Sequence, residues 1–386
     1  MNRIPFIVFV VAILAGVASG SDEGPTRYEP VPIVGSEFDS VSRGVDSSPD
    51  WIYEGSAEGD SMLVRPEAES EWFDGRVARL LPGDSFRHLV RGSFKAGDRL
   101  LVGVNAVEQG KAGAADVLGV TLRAGAGSSL ESTRRISTAS DWRRRFSTFE
   151  LPGGWPDSGP IFLIFHNHGT APILLDKASI ARILPDEEGF ESIFNGRDLE
   201  GWTGNVKGYG VEDGSIRTYP DRDGGNLYTA DQYGDFVFRF AFKVPPGANN
   251  GIAIRAPLGG DAAYKGMEIQ VLDNSHPKYA GLEDWQFHGS IYGIAPSLRG
   301  YQAPPGEWNL EEIRVSGRTI RVTLNGKVIA SVDLDQALEG GALSGRDHPG
   351  AARTAGHLGF CGHGDVVHFK DLRVRDLSGT KTPTRR

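Results

Sequence analysis

The chain reads as an all-β protein built from two β-sandwich (jelly-roll) domains, and three observations predict this. Short apolar runs alternate with polar positions at period two, broken by Gly, Asp and Pro turns, and no stretch sustains the 3.6-residue period of an amphipathic helix. Glycine is abundant, at 52 residues, as turn-rich β architectures require. The 386 residues suffice for two ordinary domains, and a charged hinge, Pro185-Asp-Glu-Glu-Gly189, falls near the middle.

Bulk properties narrow the function classes. A composition 39% hydrophobic and 24% charged is that of a folded globular protein. The net charge of -9 removes any general attraction to phosphate backbones, which argues against a nucleic-acid partner. Arg3 precedes an apolar run from Ile4 to Val17, followed by Ala18-Ser19-Gly20 and then acidic residues. That order is a secretory signal peptide over residues 1–20, and it places the mature protein in the periplasm or outside the cell. The run is shorter than the roughly 20 residues of a spanning helix, and no later segment is long and apolar enough to cross a membrane. With Cys361 as the single cysteine, no intramolecular disulfide can form, so stability must come from two hydrophobic cores.

The elements follow in order. Residues 21–36, with Pro25, Pro30 and Pro32, read as a linker. From 37 to 184 the strand candidates are Arg99–Asn105, Val117–Arg123, Arg145–Leu151, Ile161–His166 and a last piece beginning at Ile173. A Trp142 turn, paired strands and a closing strand with an Asp176-x-x-Ser179-Ile180 pattern resemble, in architecture, carbohydrate-binding jelly-roll modules. The Gly-rich runs at 110–113 and 125–127 lack the Lys-Ser/Thr of a phosphate loop and read as hairpin loops, and His166-Asn-His168 reads as a turn. From 190 to 377 strands again dominate. Phe236, Phe238, Phe240 and Phe242 alternate with Val237, Arg239, Ala241 and Lys243, which makes one face aromatic core and the other mixed. Asn325-Gly326 is a strong hairpin signal. The basic tail, 378–386, is expected to be disordered.

One strand concentrates polar groups. In Met267-Glu-Ile-Gln-Val-Leu-Asp273, Glu268 and Gln270 share a strand face, and Asp273 would join them only through a β-bulge. Further pieces surround it: Ile193-Phe-Asn-Gly-Arg-Asp-Leu-Glu-Gly-Trp202, Tyr233-Gly-Asp-Phe236, Asn249-Asn-Gly-Ile-Ala-Ile-Arg255, Gly289-Ser-Ile-Tyr292 and Pro305-Gly-Glu-Trp-Asn309. On these motifs, residues 190–377 resemble the DUF1080 family, the 3-keto-disaccharide hydrolase domain with a concanavalin A-like sandwich. The resemblance implies action on sugars whose C3 hydroxyl has been oxidised to a ketone.

Laminarinase-type sandwiches carry Glu-x-Asp-x-x-Glu, whereas here the pattern is Glu268-x-Gln270-x-x-Asp273. Direct retaining hydrolysis, which needs two carboxyls about 5 Å apart, is therefore disfavoured. A 3-keto sugar permits β-elimination instead, which needs a base, a donor to the enolate oxygen and an acid for the leaving group. Glu268 or His288 is the expected base, with Asp273 orienting a histidine or binding a metal. Arg255, Gln270 and Tyr292 are the expected enolate donors, and Trp285, Tyr292, Tyr301 and Trp308 suit sugar stacking. The structural alternative pairs Glu268 and Asp273 with Arg255 across the sheet, and leaves a non-catalytic carbohydrate-binding or cell-surface protein using the same concave face. His357, His363 and His368 lack zinc spacing. No cofactor is determined by the sequence, although turns such as Asp221-Arg-Asp-Gly224 offer the oxygen ligands a Ca²⁺ ion uses. The expected partner is an oligosaccharide or glycoside, and the oligomeric state is left open.

Overall fold

The computed structural model describes residues 26–33, 41–43, 51–55, 63–64, 76–110, 115–125, 128–156, 159–219 and 225–378. The expected signal segment 1–20, half of the expected linker, the turn at 221–224 and the tail beyond Ser378 lie outside the described residues, as does part of each Gly-rich hairpin loop.

The structure is nearly all strand, as the period-two pattern predicts. Among the described residues the first domain is a sandwich of two six-stranded sheets. One runs Arg143–Glu150, Arg99–Glu108, Ile173–Pro185, Val77–Leu80, Leu63–Val64, with Thr26–Val31 added to Ile173–Pro185. The other runs Val41–Arg43, Trp51–Glu54, Ser85–Val90, Ile161–Asn167, Ala115–Ala124, Glu131–Thr138. Their inward residues, among them Trp51, Phe86, Val102, Leu122, Phe149 and Phe165, form one core. Thr26–Val31 departs from the linker expectation. It pairs antiparallel with Ile180–Pro185 as an edge strand, the position in a sheet where a proline such as Pro30 is tolerated.

The second domain packs an eight-stranded sheet on a five-stranded one. The larger contains Tyr209–Glu212, Ser215–Thr218, His368–Asp376, Phe236–Lys243, Trp308–Ser316, Thr319–Leu324 and Lys327–Asp333, with Glu191–Ser192 on the edge of His368–Asp376. The smaller contains Trp202–Gly204, Gly225–Tyr233, Gly356–Gly362, Asn249–Ala256 and Met267–Leu272. Phe236, Phe238, Phe240 and Phe242 point into the core between them, as their alternation requires.

The opposite face of Phe236–Lys243 is more buried than a mixed solvent face should be. Arg239 is almost fully buried because it bonds Asp186 of the hinge at 2.8 Å and Glu312 at 2.7 Å. Asp186 also accepts from Arg373, whose Nη2 donates to the carbonyl of Thr26 at 2.6 Å. The Asn325-Gly326 hairpin has φ of 48° and 80°, as a type I′ turn needs. Its tip docks on the first domain so closely that a Cβ on Gly326 would lie 2.3 Å from Ala181. The charged segment at 185–189 is therefore pinned by arginines. Among the described residues no helix is long and apolar enough to cross a membrane.

Candidate active site

Met267–Leu272 is the edge strand of the five-stranded sheet and pairs with Asn249–Ile254 in unbroken register. Met267, Ile269 and Val271 enter the core, so Glu268 and Gln270 occupy the outer face. A second backbone segment extends that edge. Ser290 accepts from the Gln270 amide, Tyr292 donates to the Glu268 carbonyl, and Ile291 bridges to Ile269.

The outer face is floored by residues without bulk. A Cβ on Gly251 would lie 1.7 Å from Glu268 Oε1, and one on Gly359 would lie 2.7 Å from Tyr228 Cδ1. Glycine at these positions lets the two side chains lie flat on the sheet. Tyr228, Ala253, Ala256, Ala262 and Cys361 form a small separate cluster on this side. His363 Nε2 stands 3.7 Å from Glu268 Oε1, close enough for charge attraction and too long for a hydrogen bond.

Burial dominates the electrostatics. It pushes the Glu268 carboxyl above its ordinary value of 4.5, and His363 partly opposes that rise. The Glu268 carboxylate in turn holds His363 above the ordinary 6.5, against the effect of its own burial. Cys361 is fully buried and its thiol is driven well up, first by burial and then by Glu268 and Asp261, so it is a thiol at neutral pH and not a nucleophile. Burial likewise raises Tyr228 and Tyr292, so both keep their O–H protons. Tyr228 accepts from Asn226 at 2.8 Å, and Tyr292 accepts from Gln286 at 3.3 Å. Trp285 meets Tyr292 edge-on at 5.1 Å, and Tyr264 does so at 6.4 Å.

Of the residues expected at the site, Glu268, Gln270, Tyr292 and Trp285 lie on or beside this face, and five others are placed elsewhere, Tyr301 among them with its ring against Arg144 of the first domain. No bulge interrupts Met267–Leu272, so Asp273 does not join Glu268. Instead its carboxylate accepts from the amides of Gly247 at 2.7 Å and Ser275 at 3.0 Å and ties two turns together. His288 lies on the inner side of the sheet, in the core, with Nε2 3.0 Å from Glu311 Oε2 and its ring 5.0 Å from that of Phe242. Arg255 has φ of 47° at a register shift and spends its guanidinium on Asp235 at 2.8 Å and on the carbonyls of Gly234, Gly317 and Arg353. It does not pair with Glu268. Trp308 belongs to the eight-stranded sheet, between the ammonium groups of Lys243 and Lys370 at 5.0 and 4.3 Å from its ring.

The three C-terminal histidines separate. His357 Nδ1 is 2.7 Å from the carbonyl of Thr229, His368 Nδ1 is 3.1 Å from Ser215 Oγ on the other sheet, and His363 alone meets Glu268. Sequence reading missed His363 and Tyr228 as site residues. The available signal was His363 between Gly362 and Gly364, immediately past a strand, where the backbone turns and exposes the side chain. Among the described residues no group of three or more His, Cys, Asp or Glu converges as a metal would require.

Residues 189–375 match the profile of the 3-keto-alpha-glucoside-1,2-lyase-like domain. The second domain belongs to that family. A curated 3-keto-disaccharide hydrolase from Bacteroides thetaiotaomicron is 28% identical over 231 residues, which span 50% of this chain and 80% of the relative. A solved structure from Parabacteroides distasonis, provisionally described as a glycosyl hydrolase, is 28% identical with a TM-score of 0.43, covering 49% of this chain and 95% of that one. A carbohydrate-binding module from Bacillus subtilis is 12% identical with a TM-score of 0.31, covering 46% and 96%.

Two predictions arise at this face. Gly251→Ala should displace the Glu268 carboxylate and lower turnover roughly 100-fold, since a misplacement of about 1 Å can cost that much. Circular dichroism should show the fold retained, because Gly251 has no positive φ that alanine would strain. The second prediction is a bell-shaped pH profile. A base at Glu268 could work only when ionised, so any activity that uses it should rise with pH above the ordinary carboxylate range. An acid at His363 could work only when protonated, so the same activity should fall as pH rises through its raised pKa, above 6.5. The stability His363 gains from Glu268 follows the same sign: it is complete below 6.5 and lost as pH rises through the folded value. In Glu268→Gln the His363 ring, followed by NMR, should titrate lower than in the wild type. An unchanged titration would remove the coupling.

Proposed function

We propose that this protein cleaves 3-keto-glycosides as an exported enzyme. The observation that carries the reading is Glu268: a buried carboxylate with a raised pKa on an outer sheet face, beside a partly exposed histidine and two tyrosine hydroxyls. The name of the Bacteroides relative supports the substrate class.

A ketone at C3 acidifies the C2 proton. Glu268 takes that proton, the electron pair moves to the C3 oxygen as an enolate, and the Tyr292 or Tyr228 hydroxyl donates to it. The enolate then expels the C1 substituent. The C1–O bond breaks, His363 protonates the departing oxygen, and an enone remains. Addition of water across the enone gives net hydrolysis. One carboxylate suffices for this route, so Gln270 in place of a second acid is no obstacle. Trp285 and Tyr292 supply an aromatic rim for a sugar ring.

The deciding assay compares a 3-keto-disaccharide with its unoxidised parent. Cleavage of the keto sugar alone is expected. Tight binding of both without product would instead make the face a carbohydrate-binding surface.

A further inference from the structure

The two domains meet at a short segment that also braces the wall of the candidate site. Arg299, Gly300 and Tyr301 belong to the second domain, and each is held by the first. Lys177 Nζ donates to the Arg299 carbonyl at 2.9 Å, and Asn105 Nδ2 to that of Gly300 at 3.0 Å. The Tyr301 ring, 1% exposed, lies against the Arg144 guanidinium at 4.8 Å. Arg144 is itself buried and bonded to Asn105 Oδ1 at 3.0 Å, to the Lys177 carbonyl at 2.8 Å and to Ser179. Burial brings its pKa down to about 10, so it is still a cation at neutral pH, and a desolvated cation on an aromatic face is a strong contact. Lys177 owes its place to a bulge in Ile173–Pro185, where its φ is 49°.

From this grip the contacts run outward to the site. The Arg299 guanidinium lies over the Phe287 ring at 4.4 Å and 3.8 Å from Asp284. Gln302 donates to the Leu272 carbonyl at 2.7 Å, at the end of the strand that carries Glu268. Ser297 donates to the His288 carbonyl, and its amide donates to Ser290 Oγ at 3.2 Å. The wall so braced, Asp284–Ser290, carries Trp285 and Gln286 against Tyr292. It is a short turn with little regular structure of its own.

We propose that the first domain is a positioning element of the site, acting through Tyr301 and Arg299 to hold the aromatic wall at 284–290 in its binding geometry. The substrate half of this inference rests on the function proposed above; the mechanical half does not. The sugar-facing rim of the second domain is then incomplete without the first, which acts on it through Arg299 and Tyr301.

The test uses the full chain with two variants. Tyr301→Leu takes the ring off Arg144 and so loosens the grip to its two backbone hydrogen bonds, and Arg299→Met keeps the grip and cuts the link to Phe287 and Asp284. Hydrogen–deuterium exchange should quicken over Asp284–Ser290 in both, while Phe236–Lys243 exchanges as in the wild type, showing the fold intact. On a 3-keto-disaccharide both variants should lose roughly tenfold in kcat/KM, mainly through KM, as expected for residues that act through others. Unchanged exchange over Asp284–Ser290 in either variant, or quickened exchange with unchanged KM, would overturn the proposal. A wild type that cleaves no keto sugar would sink the proposed activity, and the exchange comparison would still decide the coupling.

Discussion

Replacing Glu268 by glutamine should reduce turnover of a 3-keto-disaccharide by about 100- to 10,000-fold, the range over which a positioned acid or base contributes. The variant isolates proton transfer. Glutamine matches the shape of glutamate, so Gly251 still accommodates it, and Tyr228 and Tyr292 keep their places. Folding should be unaffected or slightly favoured, because a carboxylate 4% exposed no longer has to be ionised out of water. The effect should appear in kcat more than KM, since the base acts in the transition state. Turnover within about twofold of wild type would show that Glu268 is not the base. His363→Gln should cost less with a substrate whose leaving group is a good one, such as a nitrophenyl 3-keto-glucoside, because protonation of the departing oxygen then matters less.

The second large effect is on stability and concerns His288 and Glu311. Both are buried, at 1% and 0% exposure, with 3.0 Å between Nε2 and Oε2 in the apolar core against Phe242. Removing one partner leaves the other without its counter-group in a medium that cannot solvate it. His288→Leu or Glu311→Leu alone should therefore cost about 3–5 kcal/mol of unfolding free energy, measured by urea denaturation. The double replacement should recover most of that loss, since apolar residues of comparable volume can replace a buried pair at little cost. It should also keep activity on a 3-keto sugar, because His288 lies across the sheet from Glu268. A double variant no more stable than the singles would show that the pair does not act as a unit.

These outcomes bear on what was legible from residues alone. The Phe236 to Phe242 alternation announced its core face, Asn325-Gly326 its hairpin, and the motifs around Glu268 their family, each because the cause is local: a period, a turn geometry, a run of neighbours. Glu268, Gln270, Trp285 and Tyr292, expected together from such patterns, lie on or beside one face. The misplacements have a common origin in long-range partners. Asp273 could reach Glu268 only through a bulge, and the register shifts of this sheet fall at Arg255 and after Tyr228 instead. Trp308 and Tyr301 looked like sugar platforms by residue type, yet one lies between two lysines on the far sheet and the other fills the domain interface.

The amino-acid sequence by itself determined an all-β chain of two sandwiches, the strand that carries Glu268, and the family of the second domain, since all three follow from short-range patterning. Only the tertiary structure decided which groups meet Glu268. His363, from a turn 95 positions later, faces it, whereas His288, 20 positions away, is turned into the core. A β-sandwich assembles its faces from strands distant in the chain, so alternation tells which side a residue takes and only the pairing order tells what stands beside it.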